Sequence, residues 1–316
     1  MSSGLLVNWY NKLVVAVRWQ GSLSDPFIVQ SSVRQGSSLF PAIFNIFINA
    51  FIVKLRESNS DCCINGAFVG CVMYANDIIL ISASVNGLQS LLNCYHTVSL
   101  DLLLKFNCVK STCIAIGLRS SFNISNMQLG DDFISWSNKL KYLGVMFNVA
   151  KTLSIYVDVM RRKFSAACNC LLGNSIHQNE ILKLCLQESY ILPVLQYACS
   201  AISFTKSQLN YLNVCWNFVY RRIFGFCKFE PVHCLVAGLG RLDFLHFHLL
   251  LTLKFIKCVQ CTSNTVFKAL MGIYTQSSAF SLLLKSANLL MVDFVKLPVH
   301  ALNGFIIDLF RVKNDL

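Results

Sequence analysis

The sequence predicts an α+β fold in which a β-rich part, residues 1–150, precedes a mostly helical part, residues 151–316. Short runs rich in valine, isoleucine and aromatic residues alternate with turn residues in the first part, whereas the second part keeps apolar residues at helical spacing. Hydrophobic residues make up 55% of the chain and charged residues 13%, which excludes an intrinsically disordered protein. Since no linker rich in proline, glycine or serine separates the two parts, we expect them to pack together.

In the first part, valine-rich and aromatic runs predict strands, and apolar residues three or four apart predict helices. Turn residues such as Gln20-Gly21 separate the runs. The predicted elements are strands at Leu13–Trp19, Phe27–Val29, Phe68–Tyr74, Ile78–Ile81 and Cys113–Ile116, and helices at Phe40–Glu57 and Val85–Leu104. The segment Lys141–Phe147 closes this part, and a plain β-turn is one explanation of its Tyr142 and Gly144.

In the second part, three long apolar patterns predict helices at Ser154–Leu172, Glu180–Ile202 and Gln208–Phe224. Gly173-Asn174 and Gly225 are typical of helix ends. The remaining residues are rich in leucine and also predict helices, without a recognisable repeat.

The chain carries 27 Lys and Arg against 15 Asp and Glu, a net charge of +12. Such an excess favours a polyanionic partner such as nucleic acid, although many proteins are basic for no specific reason. Fifteen cysteines without a secretory signal indicate reduced thiols, so we expect a cytoplasmic or nuclear protein that is not secreted. Polar residues interrupt every long uncharged stretch, so no membrane insertion is expected despite a mean hydropathy of +0.55.

The segment Tyr74-Ala75-Asn76-Asp77 lies between two apolar runs. A carboxylate held at a turn between strands is suited to bind a hard cation such as Mg²⁺. One carboxylate rarely holds a catalytic metal, however, because two-metal phosphoryl transfer uses several. A plain hairpin turn with Asn-Asp at its tip is the alternative.

Four ordered segments resemble the reverse transcriptases of non-LTR (LINE-type) retrotransposons. Residues 32–45 (SVRQGSSLFPAIFN) resemble the family's GVRQGxxLSPxLFN segment, and residues 74–77 (YAND) resemble its YADD box. Residues 104–111 (LKFNCVKS) are similar to LxxNxxKS/T, and residues 141–145 (KYLGV) to the segment near the primer. Residues 190–197 and 216–225 resemble the helical thumb side of such elements.

This resemblance implies a partial palm domain (a small antiparallel sheet with helices) over residues 1–150 and a helical thumb-like region over residues 151–316. It also implies Mg²⁺ as cofactor, and an RNA template, a DNA primer and, in an active enzyme, deoxynucleotides as partners. The implied site residues are Arg34, Gln35, Gly36 and Tyr74 for nucleotide and template, Asp77, Asn76 and Lys110 for catalysis, and Tyr142, Leu143 and Gly144 for the primer side.

The sequence departs from the family pattern at the residues that matter most. Asn76 stands where the YADD box has its first aspartate, and an amide cannot balance metal charge. The family's other catalytic aspartate belongs to an upstream segment, and the only acid before Arg34 is Asp25, whose surroundings do not match it. We therefore expect an N-terminally truncated chain in which Asp77 binds Mg²⁺ weakly and polymerase activity is lost.

Two alternatives remain open on the sequence. The chain is a non-catalytic basic nucleic-acid-binding module, in which Arg161-Arg162-Lys163 and Arg221-Arg222 meet a duplex backbone. Or it is an aggregation-prone or membrane-associated product, because its apolar surface lacks a partner. Salt-dependent binding would favour the first and flotation with liposomes would test the second.

Overall fold

The computed structural model of the chain describes residues 4, 7–8, 12–29, 36, 39–57, 62–117, 125–197, 199–289 and 291–306. Two of the predicted site residues, Arg34 and Gln35, lie outside these ranges.

The architecture is α+β, as the sequence predicts, with small antiparallel sheets followed by helices. The strands are β1 Val14–Val15, β2 Arg18–Trp19, β3 Ser22–Leu23, β4 Phe27–Ile28, β5 Cys63–Ile64, β6 Ala67–Phe68, β7 Cys71–Tyr74, β8 Asp77–Leu80, β9 Met127–Leu129, β10 Asp132–Ile134, β11 Lys139–Tyr142, β12 Val145–Val149 and β13 Leu153–Ile155. The helices are α1 Phe40–Glu57, α2 Val85–Asp101, α3 Val157–Asn174, α4 Glu180–Leu186, α5 Leu192–Gln196, α6 Lys206–Phe224, α7 His233–Gly238, α8 Phe244–Gln260, α9 Thr265–Thr275, α10 Ser278–Ser286 and α11 Met291–Lys296. A π-helical turn, Gln187–Ile191, joins α4 to α5.

Among the described strands, pairing is local. β1 pairs with β4, β2 with β3, β5 with β6, β7 with β8 and β9 with β10, each as a two-stranded antiparallel sheet. Strands β11, β12 and β13 form one three-stranded sheet. Because successive side chains of a strand alternate between faces, each hairpin can bury one face on a helix and leave the other exposed.

A first core lies where α1 and α2 pack together. Helix α1 contributes Ile48, Phe51 and Leu55, whose spacing of three and four residues aligns them on one face. The ring of Phe51 meets that of Tyr95 edge to face, with the centroids 4.8 Å apart. Buried residues of α2, β9 and β10 complete this core, and Ser84 caps α2 by accepting a hydrogen bond from the Gly87 amide at 3.0 Å. The core therefore supports the strands that precede and follow α2.

A second, larger core lies in the helical part. It begins at Val145 of β12 and continues to Ile306, and its fully buried side chains include Phe244 and Leu253. Helix α6 begins with a capping box, in which Thr205 and Gln208 exchange hydrogen bonds, and ends at Gly225 with φ 72°. Along the chain, the first core ends at Trp136 and the second begins at Val145. The domain boundary at residue 150 stays a prediction.

Several predicted elements differ from the structure. Helix α1 has the predicted bounds, and α2 ends at Asp101 instead of Leu104. The strand predicted at Cys113–Ile116 is wrong, because only Cys113 pairs, in an isolated bridge with Trp136. The helix predicted from Ser154 is wrong at its start, because Leu153–Ile155 pairs with β12 as an edge strand and the helix begins at Val157.

The strand predicted at Leu13–Trp19 and the helix predicted at Glu180–Ile202 are interrupted in the structure. The strand is divided into β1 and β2 by residues 16–17. The helix contains the π-helical turn and ends at Gln196. Pro193 lacks the amide hydrogen that a regular helix needs, and it stands two residues after that turn. Within the described residues, no helix combines the length and the hydropathy of a membrane span.

Candidate active site

The Tyr74–Asp77 segment forms the tip of the β7–β8 hairpin. Tyr74 pairs directly with Asp77, so the loop consists of Ala75 and Asn76 alone. The sequence places Asp77 in the turn, and the structure corrects this, because Asp77 is the first residue of β8. Ala75 adopts φ 51°, in the left-handed region that alanine rarely occupies. The turn is therefore tight and holds its polar residues in a defined order.

The two faces of this hairpin have different surroundings. Cys71, Met73, Ile78 and Leu80 pack against the first core. Tyr74 and Asp77 form a directly opposed pair on the other face, where Tyr74 is 65% exposed and Asp77 is also exposed. The carboxylate is therefore presented to solvent on a hairpin whose reverse side is anchored.

A second hairpin, β11–β12, carries the predicted primer-side residues. Tyr142 pairs with Val145, and Leu143 and Gly144 form the loop with φ values of 45° and 79°. Two successive residues with positive φ are typical of the type I′ turns that close two-residue hairpins. The hydroxyl of Tyr197 donates a hydrogen bond to the carbonyl oxygen of Leu143 at 2.6 Å. The sequence indicates no role for Tyr197, although it lies in a segment that resembles the thumb side of the family.

The two hairpins are linked electrostatically through Tyr142 and Asp77. Burial raises the pKa of the Tyr142 phenol, and the negative charge of Asp77 raises it further. The carboxylate of one hairpin therefore acts on the phenol of the other, although the two residues are 65 residues apart in the sequence.

The segment that contains Lys110 packs against the first core through its apolar residues, as one face of the β7–β8 hairpin does. Phe106 lies against Tyr95, with the ring centroids 4.1 Å apart. Burial raises the pKa of the Tyr95 phenol. Lys110 itself is exposed, and its amide donates to the side chain of Asn107 at 3.0 Å. Within the described residues, no ion pair joins Lys110 to Asp77.

Gly36 is the one residue of the predicted Arg34–Gly36 trio that the structure describes. It adopts φ 84° in a turn, and a Cβ atom at this position would meet nothing within 4 Å. The conformation favours glycine, while the open space leaves the backbone accessible from outside. The roles of Arg34 and Gln35 stay predictions.

The donor set around Asp77 does not fit a two-metal Mg²⁺ site. Within the described residues, no group of three or more His, Cys, Asp or Glu side chains is arranged to hold a metal ion. Asn76 offers a neutral amide, and Mg²⁺ depends on carboxylate charge when it binds protein.

The basic residues predicted to meet a duplex fall into two groups. Arg161, Arg221 and Arg222 contact their own chain: Arg161 lies over the Tyr211 ring, 5.6 Å from its centroid, and the other two donate hydrogen bonds to Glu230 and Asn169 respectively. Arg162 and Lys163 are exposed, and the described residues form no ion pair with either.

Lysines also surround the primer-side hairpin. Lys139 and Lys141 are two residues apart in β11, so both lie on its exposed face. Lys163 lines a small cavity of about 40 Å³ beside the loop, together with Gly144, Tyr156 and Tyr197. The outer surface of this hairpin is therefore positively charged.

Residues 2–147 match the sequence model of the family described as reverse transcriptase (RNA-dependent DNA polymerase). The match supports a reverse transcriptase, within an RNA-directed DNA polymerase-like family, for this part of the chain. No curated protein matches the chain.

Proposed function

We propose that this chain derives from the reverse transcriptase of a non-LTR (LINE-type) retrotransposon, that it binds an RNA template and a DNA primer, and that it does not polymerise DNA by itself. The observation that carries the proposal is the tip of the β7–β8 hairpin, where Asn76 stands in place of an aspartate and Asp77 alone supplies charge. This hairpin lies within the part of the chain that matches reverse transcriptases.

The loss of activity follows from the charge of the site. Two-metal phosphoryl transfer needs carboxylates to hold both ions against the attacking and leaving oxygens. Asparagine has nearly the shape of aspartate, but its amide oxygen carries no net charge, so it binds Mg²⁺ less strongly. A site in which a neutral amide replaces one of the carboxylates is expected to lose several orders of magnitude in rate, because the two ions act together.

The non-LTR assignment rests on the order of the four segments and on the residues beyond the family match. The KYLGV segment and the Tyr197 segment, which both resemble this class of element, are in contact through the Tyr197–Leu143 hydrogen bond. All fifteen cysteines lie in the described part of the chain and carry free thiols, in keeping with the cytoplasm or nucleus that we propose as its location.

Primer extension on an RNA template tests the proposal. The wild-type chain, Asn76→Asp and Asp77→Ala are compared with Mg²⁺ and with Mn²⁺, beside an active reverse transcriptase as positive control. We expect no extension by the wild-type chain. Extension by the wild-type chain that disappears in Asp77→Ala would contradict the loss of activity. Extension by Asn76→Asp alone would identify the missing charge as its cause.

A non-catalytic nucleic-acid-binding module is the second candidate. The observation that favours it is the exposed lysines around the β11–β12 hairpin, together with the net charge of +12. Replacing Lys139, Lys141 and Lys163 by glutamine should reduce the slope of log binding constant against log salt by about 2, since each phosphate contact contributes about 0.7–0.9. A matched control replaces three exposed lysines of the helical part, Lys268, Lys285 and Lys296. Equal losses in both triple variants would contradict a localised binding surface.

A further inference from the structure

A hydrogen bond connects the helical part of the chain to the loop of the primer-side hairpin. The Tyr197 hydroxyl donates to the Leu143 carbonyl oxygen at 2.6 Å, across 54 residues of sequence. The ring of Tyr197 also lies against the loop, because a Cβ atom added to Gly144 would be 3.6 Å from it. The contact therefore fixes both the carbonyl group and the open side of the loop.

The loop has a backbone conformation that needs support from outside. Leu143 occupies the left-handed region, which disfavours residues with a branched side chain. A hydrogen bond to its carbonyl oxygen favours this conformation over the alternatives in which the carbonyl would turn away. Tyr197 thus acts on the residue of the loop that is most strained.

The position of Tyr197 is determined by the helical core. The Leu192 amide donates to the Gln187 carbonyl oxygen in the π-helical turn, and the next residue, Pro193, has no amide hydrogen to donate. Ile191 and Leu195 have no exposed surface and anchor this segment in the second core. The Tyr197 amide donates to the Pro193 carbonyl at 3.1 Å, where α5 ends. The position of the Tyr197 hydroxyl is therefore determined by the buried residues Ile191 and Leu195 of the same segment, because the Tyr197 ring itself is exposed.

The loop that Tyr197 holds stands between two features of the candidate site. Tyr142, the residue before the loop, carries a phenol whose pKa is raised by burial and by the charge of Asp77 on the β7–β8 hairpin. Lys163, on the other side, lines the cavity beside Gly144. A shift of the loop would change the distance of both the phenol and the ammonium group from any nucleic acid bound across the hairpins.

We propose that Tyr197, which lies fifty residues beyond the family match, is a positioning residue that holds the Leu143–Gly144 loop in place for the end of a bound primer. The inference rests on the proposed binding of template and primer, and it adds to that function a residue from the helical part of the chain.

The test compares Tyr197→Phe, which removes only the hydroxyl, with Tyr190→Phe, which changes a tyrosine that is 67% exposed in the same segment. A labelled RNA–DNA template–primer duplex is titrated by fluorescence anisotropy. We expect Tyr197→Phe to weaken binding about 5- to 10-fold, the effect of one lost hydrogen bond, without a change in salt slope. Equal affinities for the wild-type chain and Tyr197→Phe, or an equal loss in Tyr190→Phe, would overturn the proposal.

A photoreactive base at the 3′ end of the primer shows which residues lie beside the primer end. At equal occupancy, general destabilisation of the protein does not change this distribution of cross-links. In the wild-type chain we expect cross-links on residues 142–146, and in Tyr197→Phe a smaller share of cross-links there at equal occupancy. An unchanged distribution of cross-links would contradict a positioning role.

A measurement on the protein without nucleic acid distinguishes failure of this inference from failure of the proposed function. Amide hydrogen exchange of residues 143–145 is measured without nucleic acid and should become about 5- to 10-fold faster in Tyr197→Phe. Unchanged exchange would overturn the positioning role alone. Absence of salt-sensitive duplex binding by the wild-type chain would contradict the proposed function, and with it the primer as the object that is positioned.

Discussion

The two cores of this protein differ in size and in how they support the candidate site. The core between α1 and α2 is built from residues 48–134 and holds one face of the β7–β8 hairpin. The helical core runs from Val145 to Ile306 and includes a strand of the other hairpin, β11–β12. The carboxylate and the primer-side loop are therefore supported by different regions. Their geometry depends on the packing between these regions as much as on either alone.

The largest loss of stability is expected when one large buried side chain is truncated in either core. Phe51 and Phe244 have no exposed surface, so either change to alanine should cost about 3–5 kcal/mol of unfolding free energy. If the regions are separate, Phe51→Ala should raise amide exchange mainly in residues 40–134, and Phe244→Ala mainly in residues 157–260. Hydrogen exchange with mass spectrometry measures this. Equal loss of protection throughout the chain in both variants would instead indicate one cooperative unit.

A smaller loss of stability is expected when one helix cap is removed from each region. Ser84→Ala and Thr205→Ala each remove a cap of about 1 kcal/mol. Thr205→Ala should cost more, because its capping partner Gln208 also donates to the Ile155 carbonyl of β13 at 3.2 Å. Calorimetry of the two variants measures the difference in melting temperature. A larger loss in Ser84→Ala would mean that the sheet contact of Gln208 does not depend on its cap.

The smallest effect is expected at the ion pair between α1 and α2. Lys54 and Asp101 are 2.7 Å apart, but their side chains are 50% and 56% exposed. Lys54→Met should therefore change the unfolding free energy by less than about 0.5 kcal/mol. Urea unfolding at low and high salt checks this value. A loss above about 1 kcal/mol at low salt would mean that the smaller core depends on surface charge.

The sequence predicts the elements that follow from their own residue pattern and fails where packing or pairing with another element decides. Helix α1 follows from its own apolar spacing, and the β7–β8 hairpin follows from two apolar runs around a turn. The start of Ser154–Leu172 looks helical, yet pairing with β12 converts Leu153–Ile155 into a strand. Pro193 is visible in the sequence, but the π-helical turn that accompanies it is not.

The sequence likewise predicts some residues of the candidate site and misses others. The motif order indicates Tyr74, Asp77 and Tyr142, and in the structure the charge of Asp77 contributes to the raised pKa of Tyr142. The motif order also indicates Lys110, but among the described residues this lysine forms no ion pair with Asp77. The contribution of Tyr197 depends on packing across 54 residues, which no local pattern encodes.

The three-stranded sheet has a practical consequence for work with fragments. The family match ends at residue 147, within β12, while β13 and the helices that bury Val145 lie after it. A fragment cut at the end of that match would expose an unpaired strand edge and would lose the tyrosine that braces the neighbouring loop. Expression boundaries for the polymerase-like part are better placed by the sheet and its buried contacts than by sequence similarity.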